Sequence, residues 1–178
     1  MVLDIRPSRE ADLPAVQAIY AHHVLYGLAT FEEVPPDAAE LARRRAELLA
    51  RGLPHLVAEM EGQVVGYAYA GPYRPRPAYR NTVEDSVYLA PDRVGRGIGR
   101  ALLGRLIGLC EAAGHRQMVA VIGDSGNAPS IRVHEALGFA RVGLLTSVGF
   151  KLGRWVDTVI MQRPLGPGDA TPPDRGAT

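Results

Sequence analysis

Val83-Glu84-Asp85-Ser86-Val87-Tyr88-Leu89-Ala90-Pro91-Asp92-Arg93-Val94-Gly95-Arg96-Gly97-Ile98-Gly99-Arg100-Ala101-Leu102-Leu103 is the stretch whose reading decides the fold. Ser86 to Leu89 is β-branched, aromatic and aliphatic, and Pro91 cannot continue a ladder, so a strand ends near Ala90. A turn with Gly95, Gly97 and Gly99 follows, and a helix opens at Gly97–Arg100. Three missing Cβ atoms let the backbone fold tightly and expose its N–H groups, while the first helical turn adds unpaired amides and a positive dipole end. Arg93, Arg96 and Arg100 add charge. The combination suits a pyrophosphate.

Two common pyrophosphate sites do not fit. A P-loop requires G-x-x-x-x-G-K-[ST], and the only lysine is Lys151. A dinucleotide fingerprint requires a third glycine three places after Gly97, where Arg100 stands. Gly97-x-Gly99, following a strand that opens with a glutamate, instead resembles the coenzyme A loop of the GCN5-related N-acetyltransferase superfamily, whose usual signature is [Q/R]-x-x-G-x-[G/A]. Val94 departs from it, occupying the place of the Gln or Arg.

Composition sets the frame. The chain has 178 residues, 47% hydrophobic and 22% charged, as expected of one globular domain with a single core. A net charge of +1 supplies no electrostatic reason to expect nucleic acid or a membrane surface as partner. Cys110 is the single cysteine, so no intramolecular disulfide can form. No apolar run reaches about 18 residues and the N-terminus has no signal-like apolar core, so a cytoplasmic protein is expected.

The remaining elements fall into order around the central stretch. Val2–Arg6 alternates as a short strand before Pro7, and a helix carrying Val16, Ile19 and Tyr20 follows, with Asp12 as its expected cap. Asp37 and Glu40 form a capping box for a second helix that closes near Gly52. Residues 55–60 and 63–70 read as a hairpin about Glu61-Gly62. Residues 71–81 hold three prolines and read as a surface loop. A helix to Gly114, a buried strand over 117–122, a helix opening at Asn127–Ser130, and strands over 140–147 and 155–162 complete the order. Residues 1–165 are expected to form one domain and 166–178 a flexible tail. The fold class is α/β, a mixed sheet with helices on both faces. The resemblance makes that sheet mostly antiparallel.

Acetyl transfer to an amine needs a base, because an ammonium group near pKa 9–10 must first lose a proton. Glu84 is the candidate, since it begins the strand whose end forms the anion cradle. By strand alternation Asp85 points to the other face. Cys110 has no histidine placed to activate it and reads as core. The adjacent pair His22-His23 points to different sides of a helix and does not read as a metal site, and no metal is expected. Arg74 and Arg76, in a stiff loop beside Tyr73 and Tyr79, form a fork that suits a carboxylate, phosphinate or sulfone.

Asn127-x-x-Ser130-x-x-x-His134-x-x-x-Gly138-Phe139 resembles the superfamily pattern N-x-x-[A/S]-x-x-x-Y-x-x-x-G-F. His134 stands where many members place a tyrosine that protonates the departing thiolate, which a near-neutral imidazole can also do. A buried, hydrogen-bonded structural histidine is the other reading. Thr30-Phe31, Ala70 to Arg74 with Arg76, Ala78 and Tyr79, Glu84-x-Ser86-Val87-Tyr88, Val121-Ile122-Gly123, His134 to Phe139, Gly149-Phe150-Lys151 and Trp155 sharpen the resemblance. Together they are similar to the phosphinothricin and methionine sulfone/sulfoximine N-acetyltransferases over about residues 4 to 164.

That resemblance implies acetyl-CoA as co-substrate and transfer to the α-amine of a small amino-acid analogue with an acidic group. Arg74, Arg76 and Tyr79 would hold the acid end, with Phe31 on the opposite wall and Glu84 as base. Main-chain groups of Val87, Tyr88 and Leu89 would bind the pantetheine, and Gly95, Arg96, Gly97, Ile98, Gly99 and Arg100 the pyrophosphate. Asn127 and Ser130 would touch the coenzyme arm, and a homodimer is implied. Another amine, such as a polyamine, a protein N-terminus or an aminoglycoside, and a non-catalytic coenzyme A module remain the alternatives. Arg74 and Arg76 argue against the polyamine, and Glu84 against the module.

Overall fold

The computed structural model describes residues 2–173. Seven strands form one sheet: β1 Leu3–Pro7, β2 His55–Met60, β3 Gln63–Pro72, β4 Thr82–Leu89, β5 Gln117–Gly123, β6 Ala140–Lys151 and β7 Arg154–Pro164. Their order is β1-β2-β3-β4-β5-β7-β6, with β4 and β5 parallel and every other neighbouring pair antiparallel. Helices α1 (Leu13–Tyr26) and α2 (Ala38–Ala50) cover one face, and α3 (Ile98–Ala112) and α4 (Ala128–Ala136) the other.

Periodicity explains which face each helix buries. Leu102, Leu103, Leu106 and Cys110 recur at helical spacing and are fully buried against the sheet. Val16, Ile19, Tyr20 and Val24 do the same for α1, packing with Val57 and Tyr67. Each such side chain contributes roughly 1.5–3 kcal/mol relative to exposure. Asp37 caps α2, its Oδ1 accepting the Glu40 amide at 2.8 Å, but the expected box is half made, because the Glu40 carboxylate binds Arg43 and Arg44 instead.

Some local expectations give way to tertiary contacts. Asp12 makes no side-chain cap bond to α1; its carboxylate accepts from Nη1 and Nη2 of the Arg6 guanidinium at 2.7 and 2.8 Å and from the Arg9 amide at 2.6 Å. A paired, charge-assisted contact outweighs a cap. Gly71 and Pro72, expected in the loop, still pair with Glu84 and Val83, and a short 3-10 turn occupies Pro77–Tyr79. β6 and β7 run past their expected ends to a tight turn in which Leu152 and Gly153 have φ of 51° and 76°.

Residues 166–172 lie against the domain, because Arg116 donates to the carbonyls of Gly168, Thr171 and Pro172. Of the expected tail, 174–178 lie outside the described residues. Among the described residues no helix is long and apolar enough to cross a membrane.

The loop after α1 is seated by glycines in two strands. A Cβ on Gly123 would stand 2.2 Å from the Leu28 carbonyl oxygen, and one on Gly149 would stand 2.0 Å from the Phe31 ring. A ring can swing away, whereas the Leu28 backbone has no such freedom. Gly123→Ala is therefore expected to cost roughly 1–3 kcal/mol. That is a fall in Tm of about 2–4 °C per kcal/mol for a chain of this size. An unchanged melting temperature would contradict the close approach.

Candidate active site

The parallel ladder between β4 and β5 stops early. Its last pair is Asp85 with Ala120, although β4 continues to Leu89 and β5 to Gly123. Beyond that pair Ser86–Leu89 stay bonded to β3 on one side, while their other edge faces a cleft of about 480 Å³. Main-chain N–H and C=O groups without a ladder partner need one from elsewhere. An extended, amide-bearing chain is a natural occupant, entering as an added strand.

The glycine turn lies at the mouth of this cleft. Gly95 and Gly97 have φ of 76° and 78°, left-handed values that favour glycine, and a Cβ on either would meet nothing. Backbone conformation, not crowding, therefore fixes glycine at both positions. Gly97 caps α3, whose first intrahelical acceptance is by Gly97 O from the Ala101 amide. The amides of Ile98, Gly99 and Arg100 are thus left for an anion. Val87, Tyr88, Leu89, Gly95, Gly97, Ile98, Gly99, Arg100, Asn127 and Ser130 all line the cleft. Arg96 does not, and is exposed. The Asn127 side chain is committed locally, since its Oδ1 accepts the Ser130 amide at 3.3 Å.

Glu84 faces the opposite side of the sheet. It lines a second cavity of about 340 Å³ between the sheet and helices α1 and α2. Ser86 lines both cavities, so they meet at the fork of the strands. Burial raises the Glu84 pKa, the adjacent Asp85 charge adds to the rise, and Arg74 offsets part of it. A carboxylate held in that state is poised to accept a proton.

Asp85, one residue on, is buried on the side of α3 and α4, lines the first cleft and meets His134. The His134 Nε2 donates to Asp85 Oδ2 at 3.0 Å, and its Nδ1 donates to the Ser130 carbonyl at 2.7 Å. Both partners can accept, so the protonated ring, with hydrogen on both nitrogens, is the form that satisfies the two contacts. Burial alone would lower the His134 pKa; the hydrogen bond and charge of Asp85, with the Ser130 carbonyl, outweigh it and raise it. Asp85 Oδ1 is buried without a partner. Strand alternation put Asp85 on the right face, but its partner lies 49 residues away.

The expected acceptor residues are more open. Arg74 lies over the Tyr73 ring at 5.3 Å and Tyr73 meets Tyr79 edge-on at 5.7 Å. Arg74, Arg76, Tyr79 and Phe31 are exposed, and none of the four lines either cavity. Phe31 rests on Gly149 in β6. Its loop is tied down by Lys151, whose buried Nζ donates to the Thr30 carbonyl at 2.7 Å. Burial holds the Lys151 pKa below its ordinary value. His23, set aside as a metal ligand, bonds through Nε2 to the Leu89 carbonyl at 2.8 Å. Among the described residues no group of three or more His, Cys, Asp and Glu could hold a metal ion. Cys110 is buried and its thiol is pushed up to about 12 by burial.

The sheet forked between two parallel strands, with a glycine turn at the helix behind it, defines an N-acetyltransferase that uses acetyl-CoA. The family model "Acetyltransferase (GNAT) family" matches residues 17–139, and the chain belongs to that family. It is 59% identical over 170 residues to a phosphinothricin N-acetyltransferase of Alcaligenes faecalis, spanning 96% of this chain and 86% of that one. It is 44% identical to an L-methionine sulfoximine/L-methionine sulfone acetyltransferase of Pseudomonas paraeruginosa, spanning 97% and 100%. A phosphinothricin acetyltransferase of Sinorhizobium meliloti, solved in complex with AcCoA, superposes with a TM-score of 0.96 at 50% identity, covering 99% of this chain and 96% of that one.

The Asp85–His134 pair carries a pH signature. Because the folded-state pKa of His134 is raised, its stabilisation is complete below the ordinary histidine value of about 6.5 and is lost as pH rises through the raised value. Asp85→Asn is expected to cost roughly 1–3 kcal/mol in urea unfolding at pH 6 and less at pH 9. An equal gap at both pH values would contradict a charged pair.

Proposed function

We propose that this enzyme acetylates the α-amine of a small amino-acid analogue of the phosphinothricin, methionine sulfone or methionine sulfoximine type, by direct transfer from acetyl-CoA. The observation that carries the reading is the meeting of two cavities at Ser86, with Glu84 on one side of the sheet and the forked strands on the other. The acceptor amine loses a proton to Glu84, and its nitrogen attacks the thioester carbonyl. Main-chain groups of Val87, Tyr88 and Leu89 stabilise the oxyanion. The C–S bond then breaks, and the second proton that the acetylated nitrogen must shed passes to the departing thiolate, carried by His134 or water. No acyl-enzyme is required.

Arg74, Arg76 and Tyr79 hold the acid end, with Phe31 opposite. That the Arg74 charge is felt at Glu84 supports placing the acid end near the base. The amides after Gly97 take the pyrophosphate, and residues 1–165 make up the acetyltransferase domain. A cytoplasmic location suits a chain with one buried thiol.

The assembly is a homodimer. Support comes from the edge strand β6 and its neighbour β7, where Leu144, Leu145, Val148, Phe150 and Trp155 are between 45% and 65% exposed. An apolar band of that kind on an edge strand needs a cover.

Glu84→Gln is expected to lower kcat at least about 100-fold with acetyl-CoA affinity preserved. In the wild type the acid limb of kcat/KM should lie above the ordinary carboxylate value of about 4.3, because only ionised Glu84 can take the proton. Undiminished turnover in the variant would remove the assignment. For the assembly, light scattering should give twice the chain mass for the wild type and a single chain for Leu144→Glu/Trp155→Glu. A monomeric wild type would refute the dimer.

A further inference from the structure

The cavity beneath α2 extends well beyond Glu84. Its far wall is built by β2 and β3, where His55 pairs with Tyr69, and Tyr69 in turn pairs with Ser86. With strands about 4.8 Å apart, His55 lies roughly 10 Å across the sheet from Ser86. The floor beside the base is bare, because the residue paired with Glu84 is Gly71. Gly71 is not in the left-handed region, and a Cβ there would meet only a Leu48 methyl, at 4.0 Å. Neither conformation nor crowding requires glycine at this position. Its effect is to leave open the passage from Glu84 into the cavity.

The walls sort by chemistry. Leu41, Leu48 and the rings of Tyr67 and Tyr69 are apolar, and His55 stacks on both tyrosines at 5.8 and 5.7 Å. Beyond them the charge is positive. The charge of Arg44 is answered by Glu32 and Glu40, and Glu47 is engaged with Arg43. Among the described residues Arg45 binds only the hydroxyl and carbonyl of Ser8, both uncharged, and Arg51 lines the same wall. His55, 6% exposed, has a buried Nδ1 with no partner. A buried polar atom left unpaired beside uncompensated cations is the environment an anion would complete.

We propose that this cavity receives the side chain of the acceptor, and that it selects α-amino acids whose side chains are longer than that of glutamate and end in an acid. The inference rests on Glu84 being the base that faces the amine. The amine then sits at Glu84 and Ser86 with the carboxylate next to it toward Arg74 and Arg76, and the side chain, which carries the second acid, passes over Gly71 and along Tyr69. Its acidic tip meets Arg45, Arg51 and His55.

The test uses the intact enzyme with acetyl-CoA and a series of acceptors: glutamate, 2-aminoadipate, 2-aminopimelate and the uncharged 2-aminooctanoate. Phosphinothricin and methionine sulfone serve as reference acceptors. In the wild type kcat/KM should rise at least about tenfold from glutamate to 2-aminopimelate, and 2-aminooctanoate should fall below the long diacids. Gly71→Val should reduce the ratio of 2-aminopimelate to glutamate about tenfold with the KM for acetyl-CoA unchanged, and Arg51→Gln should erase the preference for an acidic tip. A second readout is independent of turnover: with coenzyme A bound, 2-aminopimelate should shift the ring NMR signals of His55.

A flat or falling series overturns the cavity assignment. If phosphinothricin or methionine sulfone is still acetylated, the function proposed above survives that result. If no amino acid is acetylated, that function fails, and a silent His55 ring then overturns the cavity assignment as well.

Discussion

Everything in this molecule depends on a hydrogen-bond ladder that is not completed. β4 and β5 pair in parallel as far as Asp85 and Ala120 and then part. Both ends are held by the same segment. The Leu89 carbonyl at the end of β4 takes a hydrogen bond from His23 in α1, and Gly123 at the end of β5 lies against Leu28 just beyond that helix. Lys151 fixes the same loop from β6 by its bond to the Thr30 carbonyl. The segment at the end of α1 thus braces both arms of the fork, and the backbone edge left without a ladder partner faces the cleft.

At the base of the fork stand two adjacent carboxylates with different fates. Strand alternation sends Glu84 to the side of α1 and α2, where burial raises its pKa and leaves it a proton acceptor. It sends Asp85 to the side of α3 and α4, where His134 engages it. Neither outcome is set by residue type; the faces of one strand set both. One strand thus places two neighbouring carboxylates in different surroundings, across a single layer of sheet.

What the sequence disclosed was local. The strand, the left-handed glycines and the helix that follows are contiguous, so a cleft at this stretch could be read from residues 83 to 103; of the residues expected to face it, Arg96 alone does not line it. Cap chemistry at Asp37 was equally readable, whereas Asp12 was taken by Arg6, which also binds a distant Glu59. Contacts between residues far apart left no local trace. Examples are Asp85 with His134, Lys151 with Thr30, and Arg116 with the segment after β7. The cavity beneath α2 is of the same kind, because it exists only where a helix fails to fill the space over Gly71 and Tyr69. Arg74 and Arg76 were legible as a pair of charges, but where they stand relative to the two cavities was not.

The central claim is that the exposed edge of β4 and the first turn of α3 together grip the coenzyme. Amide hydrogen exchange, residue by residue, with and without coenzyme A, tests it most directly. Slower exchange on binding at Ile98, Gly99 and Arg100, and at amides within Val87–Leu89, is the predicted result. Coenzyme A that binds while those amides exchange at their free rate would contradict the account.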